Sequence, residues 1–348
     1  MRSFSGFIEG KRTLAPWIAP LVVLLHFIST LPALGQDARA IEAAKNEGGK
    51  VVVYGALEGD TMDAIKKAFQ KKTGIELEYW RASATKVMDR ALSEHRAGKS
   101  LFDVMSINSN LMSSMVKEGI FSRYKSPRAK EFPQQVIHPY LGPRYFNVLV
   151  GIVYNKNVVR NVDAPKSLED LVKPQYKEKL VMPDPTQHTT TTLWLASLHK
   201  LMGKEKADNF IRDLGAMKPI LVESFLPAAE RATTGETPLA IGYVKYVFTF
   251  GQKGAPLDYV KADKMLGDGN YIVLSSRAPH PNSGKAFIDF FLDDEGMNLL
   301  ARKGEFVNRK GIQPPVPDID RIQFVELDNL DARGFAEKKK EYQRIFLQ

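Results

Sequence analysis

Short apolar runs alternate with helix-period segments along most of this chain, and the order of alternation predicts its architecture. Lys50-Val51-Val52-Val53-Tyr54 reads as a buried strand, because β-branched residues follow one another without polar interruption. Asp60 or Thr61 then caps a helix with Ile65, Ala68 and Phe69 on one face, and Gly74 ends it. Ile75 to Trp80 is the next strand. Ser83 or Thr85 opens a second helix carrying Val87, Met88, Ala91 and Leu92, and Leu101 to Ser106 supplies a third strand. Parallel neighbours need a crossover, usually a helix, so the series predicts a mostly parallel sheet covered by helices on both faces. Ligands of such sheets lie beyond the carboxyl ends of the strands, which points to the loops Tyr54 to Glu58, Ala82 to Thr85 and Ser106 to Ser109.

A loop-rich passage from Tyr124 to Arg144 leads into a strand, Val148 to Tyr154, after which the alternation restarts. Ser167 caps a short helix with Asp170 at the capping-box position, Leu180 to Met182 is a strand, and a helix with Leu193, Ser197, Leu198 and Leu201 on one face begins at Thr189. Helix Lys206 to Leu214 and strands Pro219 to Val222 and Leu239 to Ile241 complete a second α/β unit. The pattern breaks over Gly254 to Asp268. Tyr271 to Leu274 is then a strand, and Ser283 opens a helix with Phe287, Ile288, Phe291 and Leu292.

The N-terminus has a different grammar. Arg2, Lys11 and Arg12 precede an apolar run from Leu14 through Leu34, and Ala33 and Gly35 are small residues spaced for cleavage before Gln36, which predicts an export signal. Pro16, Pro20, His26 and Pro32 interrupt the run, against the alternative of a membrane anchor. The expected product is a soluble chain beginning at Gln36. It has no cysteine, which excludes disulfides, thiolate metal sites, thiol nucleophiles and a lipidated N-terminal cysteine together. The formal charge of +9 is scattered among acids, with Lys338 to Lys340 as a run of three that reads as a solvated helix face, so a nucleic-acid partner is not expected.

At Pro165-Lys166-Ser167-Leu168-Glu169-Asp170-Leu171, then Pro174-Gln175-Tyr176-Lys177 and Leu180-Val181-Met182-Pro183-Asp184-Pro185, the chain resembles the solute-binding proteins of bacterial ABC importers. It is most similar to the branch containing periplasmic ferric-ion binding proteins. Val53-Tyr54-Gly55, Phe69 with Thr73-Gly74-Ile75, Asp103-Val104, Val153-Tyr154-Asn155 and Gly235-Glu236-Thr237-Pro238 before Ala240-Ile241 support the resemblance in the same order. It implies a type 2 periplasmic binding fold of class α/β, with two lobes, a hinge and an interlobe ligand cleft. The expected division is a signal peptide (1–35), the first part of lobe 1 (36–146), lobe 2 (147–262), and a return to lobe 1 with C-terminal helices (263–348). The implied role is capture of a small molecule or ion in the periplasm and its delivery to an inner-membrane ABC permease by a monomer that does no chemistry. A membrane chemoreceptor is the alternative partner. An exported hydrolase is the remaining alternative, without support from a G-x-S-x-G elbow, an H-E-x-x-H pair or histidines at metal-ligand spacing.

The cargo is where the chain departs from the ferric branch. There, two adjacent tyrosines hold the metal as phenolates; here the matching segment reads Tyr243-Val244-Lys245-Tyr246. With Tyr246 at the second tyrosine position, Lys245 takes the first, and an ammonium opposes Fe(III). The first-loop histidine of some members falls at Leu57 or Glu58, and the acidic ligand after the third strand falls near Asn108. Tyr243, Tyr246 and Glu58 still offer hard oxygen donors, so ferric iron stays open as a cargo, although no resident cofactor is expected. Tyr243, Tyr246, Val247 and Phe250 also follow helical spacing, which would suit packing instead.

Thr186-Gln187-His188-Thr189 directly precede a helix, and unpaired N–H groups at a helix N-terminus attract anions. Ser83 and Thr85, after Arg81, repeat that chemistry in the first unit. With Tyr54 and Lys245 as further contacts, these residues favour a small carboxylate, phosphonate or phosphate ester.

Overall fold

In the computed structural model, which describes residues 31–160 and 162–347, the chain enters with helix α1 (Leu31–Asn46) and the β-branched run forms strand β1 (Lys50–Gly55). Val51 and Val53 are wholly shielded from solvent. Helix α2 (Gly59–Thr73) buries Met62, Ile65 and Phe69 at helical spacing; it ends at Gly74, whose φ of 72° lets its N–H reach the carbonyl of Gln70. Strand β2 (Glu76–Arg81), helix α3 (Ala84–Arg96), strand β3 (Val104–Asn108) and helix α4 (Ser109–Lys117) follow. β1 lies between β2 and β3, parallel to both, as the alternation predicts.

After the two-residue β4 (Ile137–His138), the chain runs through a 14-residue strand, β5 (Gly142–Asn155). The second unit comprises β6 (Leu180–Pro183), α5 (Thr189–Ala196), α6 (His199–Met202), α7 (Lys204–Ala216), β7 (Ile220–Val222), α8 (Phe225–Thr234), β8 (Leu239–Tyr243), α9 (Lys245–Gly251) and β9 (Leu257–Tyr259). The chain then follows β10 (Lys264–Leu274), α10 (Pro281–Phe291), α11 (Asp294–Arg302), β11 (Phe306–Val307), β12 (Gln323–Glu326) and α12 (Ala332–Phe346).

The main strand order is β2-β1-β3-β10-β5-β8-β6-β7. Its two ends are parallel, and its middle is antiparallel because β5 and β10 carry the chain between the halves in opposite directions. β5 sets Tyr145 and Phe146 in one core and Val150, Ile152 and Tyr154 in the other; β10 sets Leu266 in the second and Ile272 and Leu274 in the first. The result is a two-part α/β architecture joined by two continuous strands.

Three features differ from the sequence expectation. β10 begins at Lys264, inside the expected break, because Gly267-Asp268-Gly269 hides a strand from any apolar pattern while fitting a close approach to β5. β5 begins six residues before Val148, as its Pro143, Arg144 and Asn147 mask the run. The last helix does not stay with the first half: Tyr342 of α12 and Leu327 join the second core. Residues 1–30 of the expected leader (1–35) lie outside the described residues, and the expected cleavage point before Gln36 falls within α1. Among the described residues no helix is long and apolar enough to cross a membrane.

Candidate functional site

The carboxyl ends of β1, β2 and β3 and the amino ends of α5, α8 and α9 face a common cleft. One chamber, about 660 Å³, is lined by residues that include Glu58, Arg81, Asn108, Tyr243, Lys245, Tyr246 and Glu305. An adjoining chamber of about 640 Å³ runs between Ser83, Ala84 and Thr85 on one side and Gln187, His188, Thr189 and Thr190 on the other. Ala56, Asn108, His188 and Tyr243 border both chambers.

Lys245 begins α9 and is buried, yet its ammonium is held by carboxylates from the opposite side of the cleft. Its Nζ lies 2.8 Å from Glu305 Oε1 and 3.1 Å from Glu58 Oε1. Burial alone would weaken its hold on the proton, but the charges of Glu305 and Glu58 outweigh this and raise its pKa above the ordinary value. Glu305 is buried too, which raises its pKa against the pull of Lys245. The sequence expectation that Lys245 offers a free cation to an anionic ligand is therefore corrected: two acids already occupy it.

The tyrosines line the chamber in contact with one another, their ring centroids 5.8 Å apart. Tyr243 packs on Phe225 at 4.3 Å, and Tyr246 stacks on Phe250 at 5.2 Å, so the helical spacing here serves packing and lining at once. Burial pushes the Tyr243 phenol up to about 12, with Asp268 adding to the rise and Lys245 opposing it. Burial likewise raises Tyr246, against Lys245. Both phenols hold their protons at neutral pH.

At α5, His188 serves as the N-cap: Thr191 N–H donates to its Nδ1 at 3.3 Å. Burial lowers its pKa to about 4, so the ring is neutral and accepts. The N–H groups of Thr189 and Thr190, in the first turn, have no partner within the helix. Ser83 Oγ caps α3 by accepting from Lys86 N–H at 3.4 Å, while Thr85 is exposed beside it. Asn108 ends β3 and donates to Asp268 Oδ2 at 2.9 Å. Gln187 is exposed on the wall.

Two expected contacts lie elsewhere. Tyr54 is 2% exposed, its ring packed between Trp80 and Phe102 and its hydroxyl donating to Glu94 at 3.0 Å. A tyrosine at the end of a central strand has one face of the sheet to fill, and that face is core. Thr186 is also buried, its Oγ1 donating to Asp184 Oδ1 at 2.7 Å to shape the turn before α5. Conversely, Glu305, Phe225 and Asn270 line the cleft without having been singled out. None of the three carries a local sequence signal; in the fold, the turn at Gly304, with φ of 82°, lies against Phe248 and Lys245 and brings Glu305 to α9. Among the described residues no group of three His, Asp or Glu side chains is placed to hold a metal.

Comparison with known proteins supplies the context. Residues 99–333 match the family described as bacterial extracellular solute-binding protein. An uncharacterized protein of Haemophilus influenzae is 22% identical over 335 residues, 90% of this chain and 94% of its own. The periplasmic binding protein AfuA from Actinobacillus pleuropneumoniae, solved with fructose-6-phosphate bound, superposes with a TM-score of 0.68 at 19% identity, covering 86% of this chain and 96% of that one. Iron-bound HitA from Pseudomonas aeruginosa gives 0.69 at 19% identity, over 86% and 98%. At such identities the likeness concerns the fold, which is that of two-lobed periplasmic binding proteins.

Proposed function

The chain belongs to the family of bacterial extracellular solute-binding proteins, and on that premise we propose that it captures a small anionic solute in the periplasm and hands it to the permease of an ABC importer, catalysing no reaction itself. The cargo class is a carboxylate, phosphonate or phosphate ester. The observation that carries this reading is the pairing of two helix N-termini across one chamber, Ser83-Ala84-Thr85 of α3 facing Gln187-His188-Thr189-Thr190 of α5. Free N–H groups and aligned peptide dipoles on both walls favour negative charge between them. Asp184 and Glu223 border the same chamber. Asp184 directs Oδ1 to the N–H and hydroxyl of Thr186, at 2.7 Å each, so that oxygen is engaged away from a ligand.

Ferric iron is the second reading, favoured by Tyr243 and Tyr246 sharing the larger chamber. It requires both phenols to ionise beside Lys245, whereas burial holds both protonated and the two nearby carboxylates already neutralise an ammonium. In this reading of the cleft, Lys245 fills the place of a cation.

The test is a thermal-shift screen of the mature protein. Binding to the folded state raises the melting temperature by linkage. Inorganic phosphate, glycerol 3-phosphate, fructose 6-phosphate, methylphosphonate and citrate are the probes, with neutral monosaccharides as controls. A rise with at least one anion and none with the neutral sugars is expected; no response to any anion sinks the reading.

A further inference from the structure

The three carboxylates that line the larger chamber are in contact with two lysines. Asp60 meets Lys303 at 2.9 Å, and Glu58 and Glu305 share Lys245 at 3.1 and 2.8 Å. Two cations of the same wall, Arg81 and Lys253, have no carboxylate partner among the described residues. They differ in how they are held. Arg81 ends β2, in register with Gly55 of β1, and its Nε donates to the carbonyl of Leu57 at 3.1 Å. That bond fixes the plane of the guanidinium while leaving its terminal nitrogens unengaged. Lys253 follows α9, where a flexible four-carbon stem carries an exposed charge.

We propose that Arg81 is the residue that reads the charge of the cargo, taking its carboxylate, phosphonate or phosphate group in a two-pronged contact beside the N-terminus of α3, whose N-cap Ser83 lies two residues further on. The inference rests on the anionic reading above and assigns to Arg81 the role that the sequence pattern suggested for Lys245. A guanidinium offers a planar pair of donors that matches the oxygens of such groups, and its contact is directional in a way an ammonium's is not. A fixed plane also removes part of the ordering cost of binding. Selection then follows from charge balance: the three carboxylates of the chamber meet Lys245 and Lys303, and Arg81 and Lys253 bring the formal charge of the wall to +1, so an anionic solute is favoured over a cationic one.

The experiment compares wild type with Arg81→Gln, Arg81→Lys and Lys253→Gln, using calorimetric titration with whichever anion of the panel gives the largest thermal shift. Arg81→Gln is expected to weaken binding by about 30-fold or more, Arg81→Lys to recover only part of that, and Lys253→Gln to change it by less than about threefold. Arg81 is exposed, and its replacement should leave the melting temperature of the unliganded protein nearly unchanged, which verifies folding in the same samples. If Arg81→Gln does not fold, the decision passes to Arg81→Lys, for which binding within threefold of wild type overturns the two-pronged contact. Wild-type binding of the anion with Arg81→Gln within threefold overturns the assignment and leaves the anionic reading standing. A wild type that answers to no anion overturns both.

Discussion

The ammonium of Lys245 lies 2.8 Å from Glu305 Oε1, with both side chains withdrawn from solvent and contributed from opposite sides of the cleft. Removing one member of a buried pair strands the other charge, at a cost of about 3–5 kcal/mol, whereas removing both can be nearly neutral. Lys245→Met should therefore destabilise strongly, and Lys245→Met with Glu305→Leu should recover much of the loss. Glu58, with a side chain 43% exposed, is screened by water, so Glu58→Gln should be the mildest change. Urea unfolding of the three variants and wild type at neutral pH checks the order. A double variant no more stable than Lys245→Met would show that the two residues are not coupled.

Tyr54 and Tyr243 both follow apolar strand residues, but one ring fills the core and the other faces the cleft. Tyr54→Phe loses the bond to Glu94, worth about 1 kcal/mol, and should leave anion affinity untouched. Tyr243→Phe removes a hydroxyl from a wall shared by both chambers and should lower affinity. Melting temperatures and titrations on the same samples separate these effects. A loss of affinity in Tyr54→Phe would return that residue to the cleft.

That contrast marks how far the sequence was legible. Strands made of uninterrupted β-branched residues, such as Val51 to Val53, and helices with clean apolar spacing and an end glycine, such as Ile65 to Gly74, follow from local patterning and appear as expected. The loops at the carboxyl ends of β1, β2 and β3 follow from topology, and Glu58, Arg81, Ser83, Thr85 and Asn108 do line the cleft. The side-chain partners were not legible. Glu305 reaches Lys245 from 60 positions away, through a strand whose glycines conceal it, and no local pattern reports a charge pair closed over that distance. Lys245 read alone is a free cation; with its two carboxylate partners its charge is already taken up.

Acid should act on two buried groups in opposite directions. Burial pushes the Asp268 carboxyl from its ordinary 3.8 up to about 6, against bonds from Asn108, Ser109 and the Gly269 N–H. The folded state then holds this proton more tightly than the unfolded chain, so the contribution is fully present below about pH 4 and is lost as pH rises to about 6, on the order of 3 kcal/mol. His188 is the reverse. Burial lowers it from 6.5 to about 4, so its contribution is present above about pH 6.5 and is lost as pH falls to about 4, somewhat less because the ring is only half-buried. The two offset each other in wild type. Relative to wild type, Asp268→Asn should lose stability progressively on acidification from pH 6 to 4, and His188→Gln should gain it. Urea midpoints across that range decide; parallel slopes in all three proteins would refute the assignment.

Iron gives an optical test. A ferric ion held by Tyr243 and Tyr246 would show a visible phenolate-to-metal charge-transfer band, and the burial that raises both phenol pKa values opposes its formation. The purified protein should stay colourless on addition of ferric citrate at neutral pH. A band that appears in wild type and disappears in Tyr246→Phe would establish the ferric reading in place of the anionic one.

Between β5 and β10 the two strands that join the halves approach so closely that side chains are excluded. A Cβ at Gly267 would lie 2.3 Å from the carbonyl oxygen of Val148, and one at Gly269 would lie 1.8 Å from Cδ of Arg144. The second clash is shorter, yet the obstacle decides the outcome. Arg144 is a flexible chain held by Glu326 at 3.2 Å and by the Phe324 ring, and it can swing aside at the cost of those contacts. Val148 is backbone in a strand with both neighbours paired, so relief at Gly267 means moving β5 itself. Gly267→Ala should therefore cost more than Gly269→Ala, within a range of about 1–3 kcal/mol for overpacking. It should also alter the angle between the halves, because the displaced strand is one of the two that set it. Unfolding midpoints rank the variants, and small-angle scattering of the unliganded protein reads the angle; equal costs and an unchanged scattering profile would show that the crossing yields more readily than its backbone contacts imply.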